Sequence, residues 1–284
     1  MKRKIKWNRL LFLFFIPVII VLVFYLVSDK KEVESSKDIK KEIITSKEIK
    51  NENTIYELLK NATIPLGHTM YVYGGGWNEQ DTGAGIEALT IGESKNWESF
   101  YLEQDEYYQY ENYNYQIHDG LDCSGYVGWV IYNTLCNENQ ENDGYVYKAE
   151  EMVYRLEEMG YGKTYTTIES YSPGDIMSTD NGHVYIVISG CEDGSVLLIH
   201  SSPPGVKISG TVDRNGNPES QAVRIAQETM KKYRSDWYEK YPDCTVDSSY
   251  LTDYVQFKWN DSTLKDPQNL KEKEAQEIIN LLFS

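Results

Sequence analysis

The sequence predicts an α+β fold with a central antiparallel sheet, preceded by an N-terminal transmembrane helix, on three observations. An 18-residue apolar run lies near the start, helical periodicities fill the first half of the remainder, and four short β-rich runs divided by turn signals follow. Helices first and strands second is the order of a fold whose helices are segregated from its sheet.

The apolar run is Leu10 to Val27, LLFLFFIPVIIVLVFYLV, uncharged and preceded by Lys2, Arg3, Lys4, Lys6 and Arg9. About 18 such residues just reach across a bilayer as a helix, and the basic flank puts the N-terminus in the cytoplasm. A cleaved signal peptide would have a shorter run followed by small residues, whereas LVSDKKEVE follows here. Residues 1–27 are therefore expected to be a cytoplasmic stub and single-pass anchor in the cell membrane, with the rest outside. Residues 28–53 mix charges of both signs with few large apolar side chains and read as a spacer.

A catalytic-sized domain is expected over residues 54–284. It opens on a helix from Thr54, with Ile55, Leu58 and Leu59 at helical spacing and Pro65 to stop it. MYVYGGGW (Met70 to Trp77) is a short extended lead-in broken by three glycines. An insertion over 76–119 follows, rich in tyrosine and carboxylates, and reads either as a lid or binding element or as a surface loop. GLDCSGYVGWV starts the next helix: Asp122 can cap it, and Tyr126, Val127, Val130 and Ile131 carry it toward Leu135. Gly125 and Gly128 each cost about 1 kcal/mol inside a helix, so something must approach closely, and a sheet is the expected neighbour.

Tyr147 to Gly160 is helical by the spacing of Met152, Val153, Leu156 and Met159. GDIMST, HVYIVIS, SVLLIHS and GVKISGT then alternate with SPG, NG, EDG and PPG turns, the pattern of an antiparallel meander. Gln221 to Tyr233 and Asn269 to Phe283 are later helices, and Tyr254 to Trp259 an additional strand.

Charge narrows the function. Residues 1–52 hold 12 of the 28 Lys+Arg and 7 of the 44 Asp+Glu, which leaves 16 basic against 37 acidic residues and a net of −21 for the remainder. Such a surface repels phosphates, so nucleic acid is not an expected partner. The four cysteines, Cys123, Cys136, Cys191 and Cys244, contain no CxxC pair and suggest no disulfide framework.

Cys123 is the cysteine placed for chemistry. A thiol attacks as its thiolate, whose formation is eased at a helix N-terminus or beside a histidine. Of four histidines, His68 and His118 lie in loop-like segments, while His183 and His200 open and close a β-hairpin. If Ser189 pairs with Gly194, the register sets 183 opposite 200 and puts both imidazoles on one face; a one-residue slip would separate them. His183 can then be the general base and His200 the group that orients it.

LDCSGYV, PGDIMSTDNGHVYIVI and LLIHSSPPGVKI, in that order and preceded by YVYGGG, resemble the NlpC/P60 family of papain-like cysteine peptidases over roughly residues 64–210. The resemblance implies a papain-like fold with the nucleophile helix packed on a central antiparallel sheet. It also implies hydrolysis of peptidoglycan stem peptides, typically after D-γ-glutamyl, by a triad of Cys123, His183 and His200. Tyr71 and Asp122 would sit near the substrate, the Cys123 N–H would contribute to an oxyanion hole, and no cofactor or metal is implied. Met70, Ser201 and Ser202 depart from the family's usual residues, and the tail after Val212 has no counterpart. Two rival readings are an amidase, acyltransferase or transglutaminase-like enzyme using the same thioacyl intermediate, and a non-enzymatic wall-binding protein.

Overall fold

Residues 53–135 and 143–284 are described by a computed structural model, and Asn53–Ser284 is one compact unit. Helix α1 (Ile55–Ala62) begins where the Thr54 hydroxyl accepts the Glu57 amide, and it buries Ile55, Leu58, Leu59 and Ala62. Replacing Thr54 by Ala is expected to cost about 1 kcal/mol through loss of this cap, read as a lower urea midpoint at unchanged slope.

The insertion runs largely along the surface but is anchored by buried aromatic residues. It carries α2 (Lys95–Leu102), whose Trp97 ring meets Trp129 edge-on at 5.6 Å and whose Tyr101 stacks on Trp237 at 5.6 Å. Helix α3 (Cys123–Leu135) is almost wholly buried, and its Tyr126 hydroxyl donates to the Ala62 carbonyl of α1 at 2.9 Å. Its glycines make room for a neighbour, but that neighbour is not the sheet. A Cβ on Gly125 would lie 2.0 Å from the Gly75 carbonyl oxygen, and one on Gly128 would lie 2.8 Å from that of Tyr145. Helix α4 (Met152–Glu158) is shorter than its periodicity suggests, and the chain leaves it through Gly160 in the left-handed region.

The strands are β1 (Gly162–Tyr165), β2 (Ile176–Thr179), β3 (His183–Gly190), β4 (Val196–Ser202), β5 (Gly205–Thr211), β6 (Thr245–Val246) and β7 (Val255–Trp259). They form one sheet in the order β1-β7-β2-β3-β4-β5-β6. Two features correct the expected antiparallel sheet. β6 runs parallel to β5, with Gly210 opposite Thr245 and Thr211 opposite Val246. β7, from the tail, inserts between β1 and β2 rather than extending an edge. The parallel pair needs a long crossover, which α5 (Gln221–Tyr233) and α6 (Ser235–Lys240) supply. A two-residue strand has no period that a sequence could display.

After β6 come the single turn α7 (Ser249–Thr252) and, beyond β7, α8 (Ala275–Leu282), which starts at a reciprocal capping box of Glu274 and Glu277. That box explains why the last helix begins after, not at, Asn269. One face of the sheet packs on α3 in the main core, where Val184, Ile186, Ile199 and Ile208 meet Tyr126, Val127 and Val130. The other face holds a smaller cluster of Met177, Tyr185, Val187, Val196, Leu198 and Tyr254.

The transmembrane helix is also corrected as a part of this fold: among the described residues no helix is long and apolar enough to cross a membrane. The longest run to 13 residues, well short of the ~20 a span requires. The apolar run Leu10 to Val27 and the spacer lie outside the described residues, except for Asn53.

Candidate active site

The site is assembled at the start of α3. Asp122 Oδ1 accepts the Gly125 amide at 2.7 Å and the Ser124 hydroxyl at 2.9 Å, and Oδ2 accepts the Gly74 amide at 3.2 Å. Asp122 is therefore the cap of α3 and its tie to the three-glycine turn, and burial pushes its carboxyl up to about 6. This tie holds Cys123 in the first helical turn. The backbone N–H groups of Ser124 and Cys123 at the helix start partly offset the upward effect of burial on the thiol.

Cys123 is 5% exposed. Its Sγ points at the Gly182 carbonyl, 3.7 Å away, and receives the Val184 amide. The sulfur is thus bracketed by the residues on either side of His183. His183 Nε2 lies 3.0 Å from His200 Nδ1, and His200 Nε2 lies 3.1 Å from the Ser209 hydroxyl. His200 is fully buried while His183 is half-buried, so His183 is the more accessible imidazole of the two. The structure joins His183 and His200 directly and sets the Cys123 sulfur against Gly182, the residue before His183; His68 and His118 are engaged elsewhere, beside Glu93 and Glu87.

The hairpin reaches this arrangement by a different register from the expected one. Ser189 pairs with Leu197 and Gly190 with Val196, but beyond a bulge at Ile188 the pairs are Val187 with Leu198 and Ile186 with Ile199. Continuing the register of the tip without the bulge would set His200 opposite Ile186 and send the two imidazoles to opposite faces. The extra residue restores the parity and places His183 diagonally across from His200.

Electrostatically the pair is neutral at rest. Burial, with Asp122 adding to it, pushes the Cys123 thiol up to about 12, and burial followed by the buried Lys207 ammonium brings His183 down to about 4. Burial and the neighbouring His183 hold His200 well below the ordinary imidazole value. Burial thus favours the neutral form of both the thiol and the imidazole. A buried sulfur loses more by ionising than the backbone N–H groups at the helix start return.

A cleft of about 270 Å³ opens onto the sulfur between Tyr71, Trp77, Ser124, Lys148 and Gly182. Trp77 Nε1 donates to the Ser124 hydroxyl at 3.1 Å. Trp77 and Asp81 also line two further cavities of about 530 and 570 Å³. Tyr71 lies on the cleft wall, held by Tyr108, whose hydroxyl donates to the Tyr71 carbonyl at 2.7 Å, and by an edge contact with Tyr110 at 5.3 Å. Burial, then the proximity of Cys123, keeps its phenol protonated. Ser201, one of the departures from the family pattern, donates to the Leu121 carbonyl and so pins β4 to the segment that leads into Cys123.

Sequence reasoning missed Tyr250 and Tyr254. Their rings lie 5.6 and 6.5 Å from that of His183, and they come from the tail. The only sequence signal was two tyrosines four apart ahead of the strand VQFKW. Among the described residues no cluster of three or more His, Cys, Asp or Glu is arranged to hold a metal ion. No protein-family model, curated protein or solved structure matches the chain.

Proposed function

We propose that this protein is a papain-like cysteine peptidase of NlpC/P60 type that hydrolyses peptidoglycan stem peptides, with the D-γ-glutamyl bond as the target. The observation that carries the reading is a cleft ending on Cys123 at a helix start, with the sulfur bracketed by the neighbours of His183 and His183 backed by His200. The substrate class rests on the three ordered motifs around these residues.

His183 uses Nε2 toward His200, so Nδ1 is the nitrogen that takes the thiol proton. In that tautomer His183 Nε2–H donates to His200 Nδ1, and His200 Nε2–H donates to Ser209. Attack forms the Sγ–C bond as the proton passes to His183, and the Cys123 and Ser124 amides hold the oxyanion. Collapse breaks the C–N bond, and the proton leaves with the amine. Water then attacks the thioester, His183 takes its proton and returns it to sulfur, and the acid departs.

Because the base is His183, activity is lost as pH falls through its folded-state value. The acid limb of kcat/KM is therefore expected near pH 4 rather than at the ~6.5 of an ordinary imidazole, measured on a soluble stem-peptide fragment. The direct test is mass spectrometry of muropeptides after incubation. A cleaved stem supports the reading; an unchanged stem sinks it, and a new cross-link replaces hydrolysis by acyl transfer.

A further inference from the structure

The tail beyond β6 reaches back over the histidine pair. Tyr250, on α7, lies 5.6 Å from the His183 ring and 5.9 Å from the His200 ring, tilted against the first and edge-on to the second. It is held there from below and from the side. The Tyr185 hydroxyl donates to the Tyr250 carbonyl at 2.8 Å and the two rings stack at 5.5 Å, while the Tyr171 hydroxyl donates to the Leu251 carbonyl at 3.3 Å. The Tyr250 hydroxyl is hydrogen-bonded with those of Ser202 and Tyr254 and lies within electrostatic range of Cys123. The two phenol-to-carbonyl ties fix the backbone of this turn.

We propose that Tyr250 is a positioning residue of the thiol site: its ring holds the His183 imidazole against His200 and keeps water off the pair, so that the C-terminal tail is a working part of the site. This rests on the peptidase reading above. The other groups around His183 are His200 on β4, Lys207 on β5 and Tyr254 ahead of β7, with Cys123 on α3 against the neighbouring Gly182 carbonyl. Of these, Lys207 already opposes protonation, and the tyrosines act by excluding water. Removing the Tyr250 ring hydrates His183, which raises its affinity for a proton.

Two readouts are taken across pH on the folded protein: turnover of a stem-peptide fragment and the rate at which iodoacetamide alkylates Cys123, followed by peptide mass. For Tyr250→Ala, kcat is expected to fall about 10- to 100-fold with KM within about threefold. The acid limb of both profiles is expected to move up from near pH 4 toward ~6.5. Tyr250→Phe keeps the ring and is expected to keep the wild-type limb. Where alanine prevents folding, Tyr250→Leu makes the same test, with a smaller upward shift. An unmoved acid limb in the opened variant, or an equal shift in Tyr250→Phe, overturns the proposal. Alkylation does not depend on the substrate: a shifted alkylation limb in a protein that cleaves no muropeptide would reject the peptidoglycan reading and leave Tyr250 in its role.

Discussion

Cys123→Ala is expected to lower muropeptide turnover by roughly 10⁴-fold or more while leaving the fold intact. In the proposed mechanism the thiol forms the acyl intermediate that divides amide hydrolysis into two easier steps. Loss of Sγ removes its contacts with the Gly182 carbonyl and Val184 amide but not the cap, because Asp122 and the Gly125 amide hold the helix start. The melting temperature should therefore move little. Residual cleavage within about tenfold of wild type would mean that another group attacks and that Cys123 is a buried structural thiol.

Gly125→Ala should have the largest effect on stability. Alanine is the better helix former by about 1 kcal/mol, yet its Cβ would lie 2.0 Å from the Gly75 carbonyl oxygen, 2.9 Å from the Gly75 carbonyl carbon and 3.0 Å from Gly76 Cα. All three are backbone atoms, and they cannot rotate away. The turn is tied to α3 by the Asp122 amide, which donates to the Gly75 carbonyl at 3.0 Å, and by the Gly74 amide on Asp122. Helix and turn must separate, at a net cost of about 3 kcal/mol. For a unit of this size that is a fall of roughly 6–12 °C in melting temperature. Activity should drop as well, since the same tie positions Cys123. Gly83→Ala is the control: its nearest neighbour is the Asn78 side chain at 4.0 Å, and a change within about 0.5 kcal/mol is expected. Equal melting temperatures for the two variants would refute the close-approach argument.

What could be read from the sequence were features encoded within a few residues of each other. Asp122 ahead of Cys123 and an apolar helix makes a capped helix start wherever the helix later packs. The alternation in HVYIVIS and SVLLIHS makes strands, and the SPG, EDG and PPG turns separate them. Thr54 and the spacing of Ile55, Leu58 and Leu59 start α1 in the same local way. The neighbour of Gly125 was misjudged because a glycine announces a close approach without saying what approaches; only the packed chain shows that it is the Gly74–Gly76 turn. β6 and the insertion of β7 escaped notice because pairing between distant strands leaves no mark on either strand's own period.

The sequence by itself determined that a thiol would stand at a helix start and that two histidines would flank a hairpin, since caps and period-two alternation are local steric and hydrogen-bonding facts. Only the tertiary structure decided that those histidines share a face, because one bulged residue at Ile188 sets the parity. It also decided how deeply the thiol and the imidazoles are buried and that the Tyr250 ring lies against both imidazoles. Burial and long-range contact are made by residues far apart in the chain, and no short stretch of it contains them.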